Sequence, residues 1–233
     1  MKYMGSKNRF AKELLPIILK DRTKGQYYIE PFAGGMNLID KVEGKRIAND
    51  IHTELIDMWK ALVYENWQPP FNIREELYLK VKTEKQNYSK KEVAYIGFNS
   101  YGGKYFRGFR RDNTGKRDYW KEHYNNIMKQ VPKLKGVEFK NFSFTDLQIP
   151  NNSIIYCDPP YSGTEQYKNK FDSSFFWDWC RTKTKEGHKV FISEYNAPDD
   201  FKCIWEKEHK TIMANGENRP SKTSTEKLYV YCA

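Results

Sequence analysis

The chain has 233 residues, 16% of them aromatic and 30% charged, with 40 Lys/Arg against 30 Asp/Glu for a net charge of +10. That length can bury a real core as one large domain or as a domain with an insertion, and the aromatic content excludes a solvated, disordered chain despite a mean hydropathy of −0.87. No apolar stretch approaches the roughly 20 residues that span a bilayer, and the basic stretch Met1 to Phe10 lacks the apolar region of a signal peptide, so a cytoplasmic protein is expected.

Gln26 to Glu30 (QYYIE) reads as a buried strand, Phe32-Ala33-Gly34-Gly35 as a turn, and Met36 to Val42 as the opening of a short helical pattern. Lys45 to Asn49 reads as a second strand ending at Asp50. In Ile51 to Tyr64, Leu55, Ile56, Trp59, Leu62 and Val63 form one helix face. Trp67-Gln68-Pro69-Pro70 breaks the chain. Ile73 to Lys85 and Lys90 to Phe98 follow as helices, the glycine-rich stretch as a loop or short hairpin, and Tyr119 to Val131 as a helix closed by Pro132.

Strands return at Val137 to Phe142, Ile154 to Cys157 and Lys189 to Ser193, with a helix over Phe171 to Glu186 before the last of these. Lys227 to Cys232 reads as a terminal strand paired with Cys203 to His209. The pattern is α/β with a mostly parallel sheet, interrupted by one basic insertion. Residues 1–65 and 141–233 form the catalytic domain in this reading, and 66–140 the insertion. Cys157, Cys180, Cys203 and Cys232 form no C-x-x-C pair and read as buried or half-buried free thiols, and the four histidines are equally scattered, so no metal site is indicated.

Nearly all the charge excess lies in the insertion. Asn66 to Lys140 holds 17 Lys/Arg against 8 Asp/Glu, and the rest of the chain 23 against 22. Its densest part, Tyr101 to Trp120, interleaves Lys104, Arg107, Arg110, Arg111, Lys116 and Arg117 with six aromatic residues and four glycines. Cations neutralise phosphates and rings stack on bases, so nucleic acid is the natural partner. The ordinary alternative is a solvated basic surface over a small aromatic core.

Asp158-Pro159-Pro160-Tyr161 follows the apolar run Ile154 to Cys157. Two prolines remove two backbone donors and leave the Asp158 and Pro159 carbonyls free as acceptors. A carboxylate, a free carbonyl and a ring suit the exocyclic amine of a nucleobase; a strand followed by a plain turn is the bland alternative. In a sheet of this type ligands lie beyond the carboxyl ends of the strands, where Phe32 to Gly35, Asp50 and Asp158 converge. Glu30 to Gly35 is neither a dinucleotide fingerprint nor a P-loop. Asp50, 20 residues beyond Glu30, stands where an acid can accept ribose hydroxyls, or else caps the helix that follows.

Taken together these motifs resemble the D12, Dam-like class of N6-adenine DNA methyltransferases over most of the chain. Tyr3-Met4-Gly5-Ser6-Lys7 is similar to that family's N-terminal motif, Glu30 to Gly35 to its methionine-binding loop, Asp50 to its ribose-binding acid and Asp158 to Tyr161 to its catalytic motif. Phe191 to Asn196 and Ser224 to Tyr229 resemble its later segments. The glycine loop ends Gly-Gly-Met-Asn where many relatives have Gly-x-Gly-Ser, which puts Met36 at the pocket wall, and the insertion is short.

The resemblance implies a Rossmann-like methyltransferase fold, S-adenosylmethionine as cofactor, and double-stranded DNA as partner, with no metal. Asp158, Pro159 and Tyr161 are then catalytic: Asp158 and the Pro159 carbonyl accept the two N6 hydrogens while Tyr161 stacks on the base. Tyr3, Lys7, Glu30, Phe32, Gly34, Asp50, Asp146 and Asp158 bind the cofactor. Lys7 pairs with the cofactor carboxylate or is a solvated lysine; Asp146 contacts the cofactor adenine or caps a turn. Asn99, Tyr101, Lys104, Arg107 and Arg110 contact DNA. N4-cytosine methylation, an RNA substrate, or a non-catalytic nucleic-acid-binding module remain alternatives at this point.

Overall fold

The computed structural model describes residues 1–160, 171–211 and 222–232. Seven strands form one sheet in the order β3-β2-β1-β4-β5-β7-β6: β1 (Tyr28–Glu30), β2 (Arg46–Asn49), β3 (Val137–Lys140), β4 (Ile154–Cys157), β5 (Lys189–Glu194), β6 (Phe201–Thr211) and β7 (Lys222–Tyr231). Strands β1 to β5 are parallel; β7 runs antiparallel to β5, and β6 antiparallel to β7. This is an open, mostly parallel α/β sheet with an antiparallel edge.

The three central strands are buried along their whole length, as the apolar runs in their sequences require of a sheet covered on both faces. Alternation along β4 sorts the two faces. Ile154 and Tyr156 enter the larger core, under α1 (Ala11–Ile18), α2 (Thr53–Tyr64), α4 (Lys90–Phe98) and α5 (Tyr119–Gln130). Ile155 and Cys157 join Phe176, Trp177, Trp179 and Cys180 of α6 (Ser173–Lys185) on the other face. From β1 the chain moves outward to β2 and β3 on one side, and from β4 to β5 on the other. The strand order therefore reverses between β1 and β4, where ligands of open parallel sheets bind.

The strand pattern read from the sequence holds, with local differences. Met36 to Val42 forms only a 3-10 turn, Ile39–Lys41. α1 has no counterpart in the sequence reading because Pro16 punctuates it; Ala11, Leu14 and Ile18 nevertheless form a buried stripe. α4 starts where its capping box, Ser89 with Glu92, dictates. Cys203 and Cys232 are exposed rather than buried, because they lie on or just beyond the two outer strands.

Within residues 66–140, α3 (Glu75–Thr83), α4 and α5 share the larger core through Tyr78, Tyr95, Phe98, Trp120 and Ile127, and β3 joins the sheet beside β2. The aromatic residues of the basic stretch turn mostly inward. Phe106 is buried, its backbone N–H donating to the Gly97 carbonyl at 2.8 Å, and Phe109 packs against Tyr78 and Trp120. Those rings are core, not base-stacking platforms.

Candidate active site

The loop after β1 is clamped by residues at the end of β2. Ala33 N–H donates to the Asn49 carbonyl at 2.8 Å, and the buried Asn49 amide donates to the carbonyls of Pro31 and Phe142 at 3.0 Å each. Asp50 accepts Gly34 N–H on Oδ2 and His52 N–H on Oδ1, both at 2.9 Å. One carboxylate thus fixes the glycine loop and the turn before α2, whose N-cap is His52, so Asp50 does not itself cap that helix. Burial pushes the Asp50 carboxyl up, against the two N–H groups that pull it down. Each oxygen keeps a further lone pair for a hydroxyl.

Gly34 has φ +47°, a left-handed conformation, and a Cβ there would stand 2.6 Å from Tyr3 Cε1. Tyr3 packs as closely on Gly35, and Met4 N–H donates to the Gly103 carbonyl at 3.3 Å. The N-terminal motif therefore lies between the glycine loop and the basic stretch. Gln130 of α5, buried, donates to the Gly35 and Met36 carbonyls at 2.9 Å each. Met36 is fully buried in the core, so it does not form the pocket wall expected from the loop sequence.

Glu30, buried at the end of β1, accepts the Tyr28 hydroxyl at 2.9 Å, and burial with Asp158 nearby pushes it up to about 8. Asp158, at the end of β4, is 22% exposed and lies 2.8 Å from Lys7 Nζ; Pro159 beside it is buried. Lys7 is 4% exposed and also reaches Glu226 Oε1 of β7 at 3.4 Å and donates to the Gly5 carbonyl at 3.1 Å. Burial alone would lower the Lys7 ammonium; Asp158 and Glu226 raise it. Lys7 Nζ thus meets Asp158, Glu226 and the Gly5 carbonyl, and it is buried rather than the solvated lysine of the alternative reading.

Among the described residues the Asp158 and Glu226 carboxylates stand against the single ammonium of Lys7, and Glu30, pushed up to about 8, is protonated beside them at neutral pH. A site of this balance suits a ligand carrying positive charge, and the glycine loop with Asp50 suits its ribose and chain. Phe32 sits in an aromatic cluster with Phe144, Phe171 and Phe176, its ring centroid 5.3–6.0 Å from theirs. Asp146 is exposed and bonded to Thr145 and Ser143, as a turn cap is. Tyr161 lies outside the described residues.

A family model for the D12 class of N6 adenine-specific DNA methyltransferases matches residues 3–219. The chain belongs to this family. It is an S-adenosylmethionine-dependent methyltransferase acting on DNA adenine. Among its relatives, a DNA adenine methylase of Vibrio cholerae serotype O1 is 22% identical, over 94% of this chain and 91% of the relative. The retron Ec67 DNA adenine methylase of Escherichia coli is 26% identical, over 83% and 75%. The type II methyltransferase M.FokI of Planomicrobium okeanokoites is 26% identical over 78% of this chain but 31% of its own length.

On this methyltransferase the residues expected to meet DNA divide by exposure. Arg107 and Tyr101 are exposed, and Lys104 and Arg110 are half-buried. Asn99 is 1% exposed: it accepts from Arg110 Nη1 at 3.2 Å and donates to the Tyr119 carbonyl at 3.4 Å. Through this contact it holds Arg110, whose guanidinium lies 3.9 Å over the Tyr119 ring. Arg111 and Arg117 are held bidentately by Glu75 and Glu122. Sequence reasoning missed Asn49, Gln130, Phe144 and Glu226. Asn49 had a local signal, standing beside Asp50 at a strand end; Gln130 had none. Among the described residues no helix is long and apolar enough to cross a membrane, and no group of His, Cys, Asp and Glu is arranged to hold a metal ion.

Proposed function

We propose that Asp158 and the Pro159 carbonyl are the groups that activate adenine N6, in double-stranded DNA whose target base is turned out of the helix. The observation that carries this reading is the meeting, at the switch point between β1 and β4, of the Asp158 carboxylate, the Asp50-braced glycine loop and Glu30. The N6 lone pair is delocalised into the purine ring. Two acceptors on the two N6 hydrogens draw it back onto nitrogen and aim it along the line of attack. S-adenosylmethionine, when bound, supplies the methyl as an electrophile on a positively charged sulfur, which keeps the bonding pair as the methyl leaves for N6. The surplus N6 proton passes by way of the Asp158 carboxylate to water.

Lys7 holds Asp158 in one orientation, as an acceptor of an N6 hydrogen needs. Asp50 and the Gly34 region hold the cofactor ribose and its methionine chain, Tyr3 backs the glycine loop, Phe32 and Glu30 line the cofactor side, and Tyr161 covers the flipped base. Residues 66–140 are the target-recognition segment, with Arg107, Arg110, Lys104 and Tyr101 facing DNA. Incubation with labelled cofactor and unmethylated genomic DNA, followed by nucleoside analysis, tests the reading: label in N6-methyladenine is expected, and label in N4-methylcytosine or only in RNA would overturn it.

A further inference from the structure

Glu226 stands on β7, opposite Lys207 of β6, in the antiparallel part of the sheet, and the chemistry above makes no use of it. Its side chain is 4% exposed, as is that of Lys7, and its Oε1 lies 3.4 Å from the same Nζ that meets Asp158 at 2.8 Å. A single buried ammonium is therefore shared by two carboxylates, one on β7 and one at the end of β4.

Lys7 and Asp158 alone would already make a neutral pair. Adding a second buried carboxylate costs desolvation, and a neutral side chain of the same shape would fill the space without that cost. The arrangement also changes what Asp158 meets. An ammonium held by Asp158 alone would direct its full donor strength at the carboxylate that has to accept an N6 hydrogen. When Glu226 draws on the same ammonium, Asp158 keeps its acceptor strength while the 2.8 Å contact still fixes its orientation.

We propose that Glu226 is a positioning residue for methyl transfer, acting through Lys7 to orient Asp158 while leaving it a strong acceptor for the N6 hydrogens. The proposal rests on the assignment of Asp158 above. It also gives the antiparallel end of the sheet a part in a site otherwise built on the parallel strands, through the contact of Glu226 on β7 with Lys7.

The test is a single-turnover measurement of methyl transfer to adenine in a DNA substrate, with cofactor and DNA both saturating, on the full chain and its Glu226→Gln and Glu226→Asp variants. Cofactor affinity and thermal midpoint are measured on the same samples. In Glu226→Gln the transfer rate falls on the order of tenfold, the effect of removing one charge-assisted hydrogen bond, while cofactor affinity is unchanged within about twofold, well under the tenfold step that 1.4 kcal/mol of binding would produce. Glu226→Asp recovers part of the rate. A Glu226→Gln protein that transfers at the wild-type rate overturns the proposal. So does one that loses cofactor or DNA affinity at an unchanged saturated rate, or one that unfolds while Glu226→Asp, folded, regains no activity. Wild-type protein that modifies a base other than adenine overturns the reading on which the proposal rests, a result distinct from all of these.

Discussion

Gly34 donates its backbone N–H to Asp50 Oδ2 at 2.9 Å, across 16 residues, and the other oxygen of the same carboxylate receives His52 N–H at the same distance. The cofactor loop and the entry to α2 are thereby fixed by one side chain. Asp50→Ala leaves two buried N–H groups without acceptors, a loss of about 1–3 kcal/mol each before relaxation. Titration of S-adenosylmethionine is expected to show affinity reduced at least about tenfold, with a lowered thermal midpoint. Asp50→Asn, which keeps one carbonyl acceptor, falls between the two.

Tyr3 and Gly34 are in contact without room for a side chain. Gly34→Ala combines a left-handed φ of +47° with a Cβ 2.6 Å from Tyr3 Cε1, and the strained backbone alone costs on the order of 1–2 kcal/mol. Denaturation curves should show this loss. Pairing Gly34→Ala with Tyr3→Ala relieves the clash but not the backbone strain, so the double variant is expected to be less destabilised than the sum of the two single variants.

Glu30 makes stability depend on pH. Its carboxyl is pushed from an ordinary value of 4.5 up to about 8 by burial, so between those values the folded chain holds a proton that the unfolded chain has released. Stability therefore falls as pH rises through that window, and the loss is complete above about 8. His123 acts in the opposite sense lower down. Buried with its Nε2 3.2 Å from the Tyr95 carbonyl and pushed from 6.5 to about 3, it removes stability as pH falls below 6.5. The buried Met1 ammonium, pushed from 8.0 down to about 5, likewise adds stability as pH rises from 5 to 8, so both groups oppose Glu30 up to 6.5 and Met1 alone opposes it from 6.5 to 8. Glu30→Gln removes only the falling component, so between pH 5 and 8 its stability by urea denaturation is expected to rise with pH more steeply than that of the wild type.

Arg107 and Arg110 differ in their surroundings. Arg107 is exposed, whereas Arg110 is gripped by Asn99 and stacked on Tyr119. Replacing Arg107 by Ala is expected to weaken DNA binding uniformly across sequences and to reduce the salt slope by about 0.9 for each phosphate that the side chain neutralises. Asn99→Ala, which leaves every cation in place, is expected to weaken binding through a loosened Arg110. Fluorescence anisotropy over a range of salt concentrations measures both. An unchanged slope in Arg107→Ala would remove that residue from the interface.

The legible parts of the sequence were those with a local cause. β4 and α4 have the bounds read from the sequence, β4 on an uninterrupted apolar run and α4 opening on a capping box. Asp158 and Asp50 were visible because strand ends in a parallel sheet gather at one crevice. What was not legible depends on contacts between distant residues. Nothing near Gln130 announces that its amide supports Gly35 and Met36, and nothing near Lys7 announces that it faces Asp158 and Glu226. The alternation of rings and cations in Tyr101 to Trp120 was real, yet composition does not say which side of the backbone a ring takes. The core took Phe106, Phe109 and Trp120.

Asp158 carries the central claim, and one substitution tests it most directly. Asp158→Ala is to be assayed for transfer of labelled methyl to adenine in DNA beside a titration of S-adenosylmethionine on the same protein. Removing the acceptor of an N6 hydrogen should lower transfer by about a thousandfold, the range seen when a stabilising group is deleted at a reacting centre, in a protein that remains folded and still binds DNA. Methyl transfer by Asp158→Ala at the wild-type rate would contradict the account.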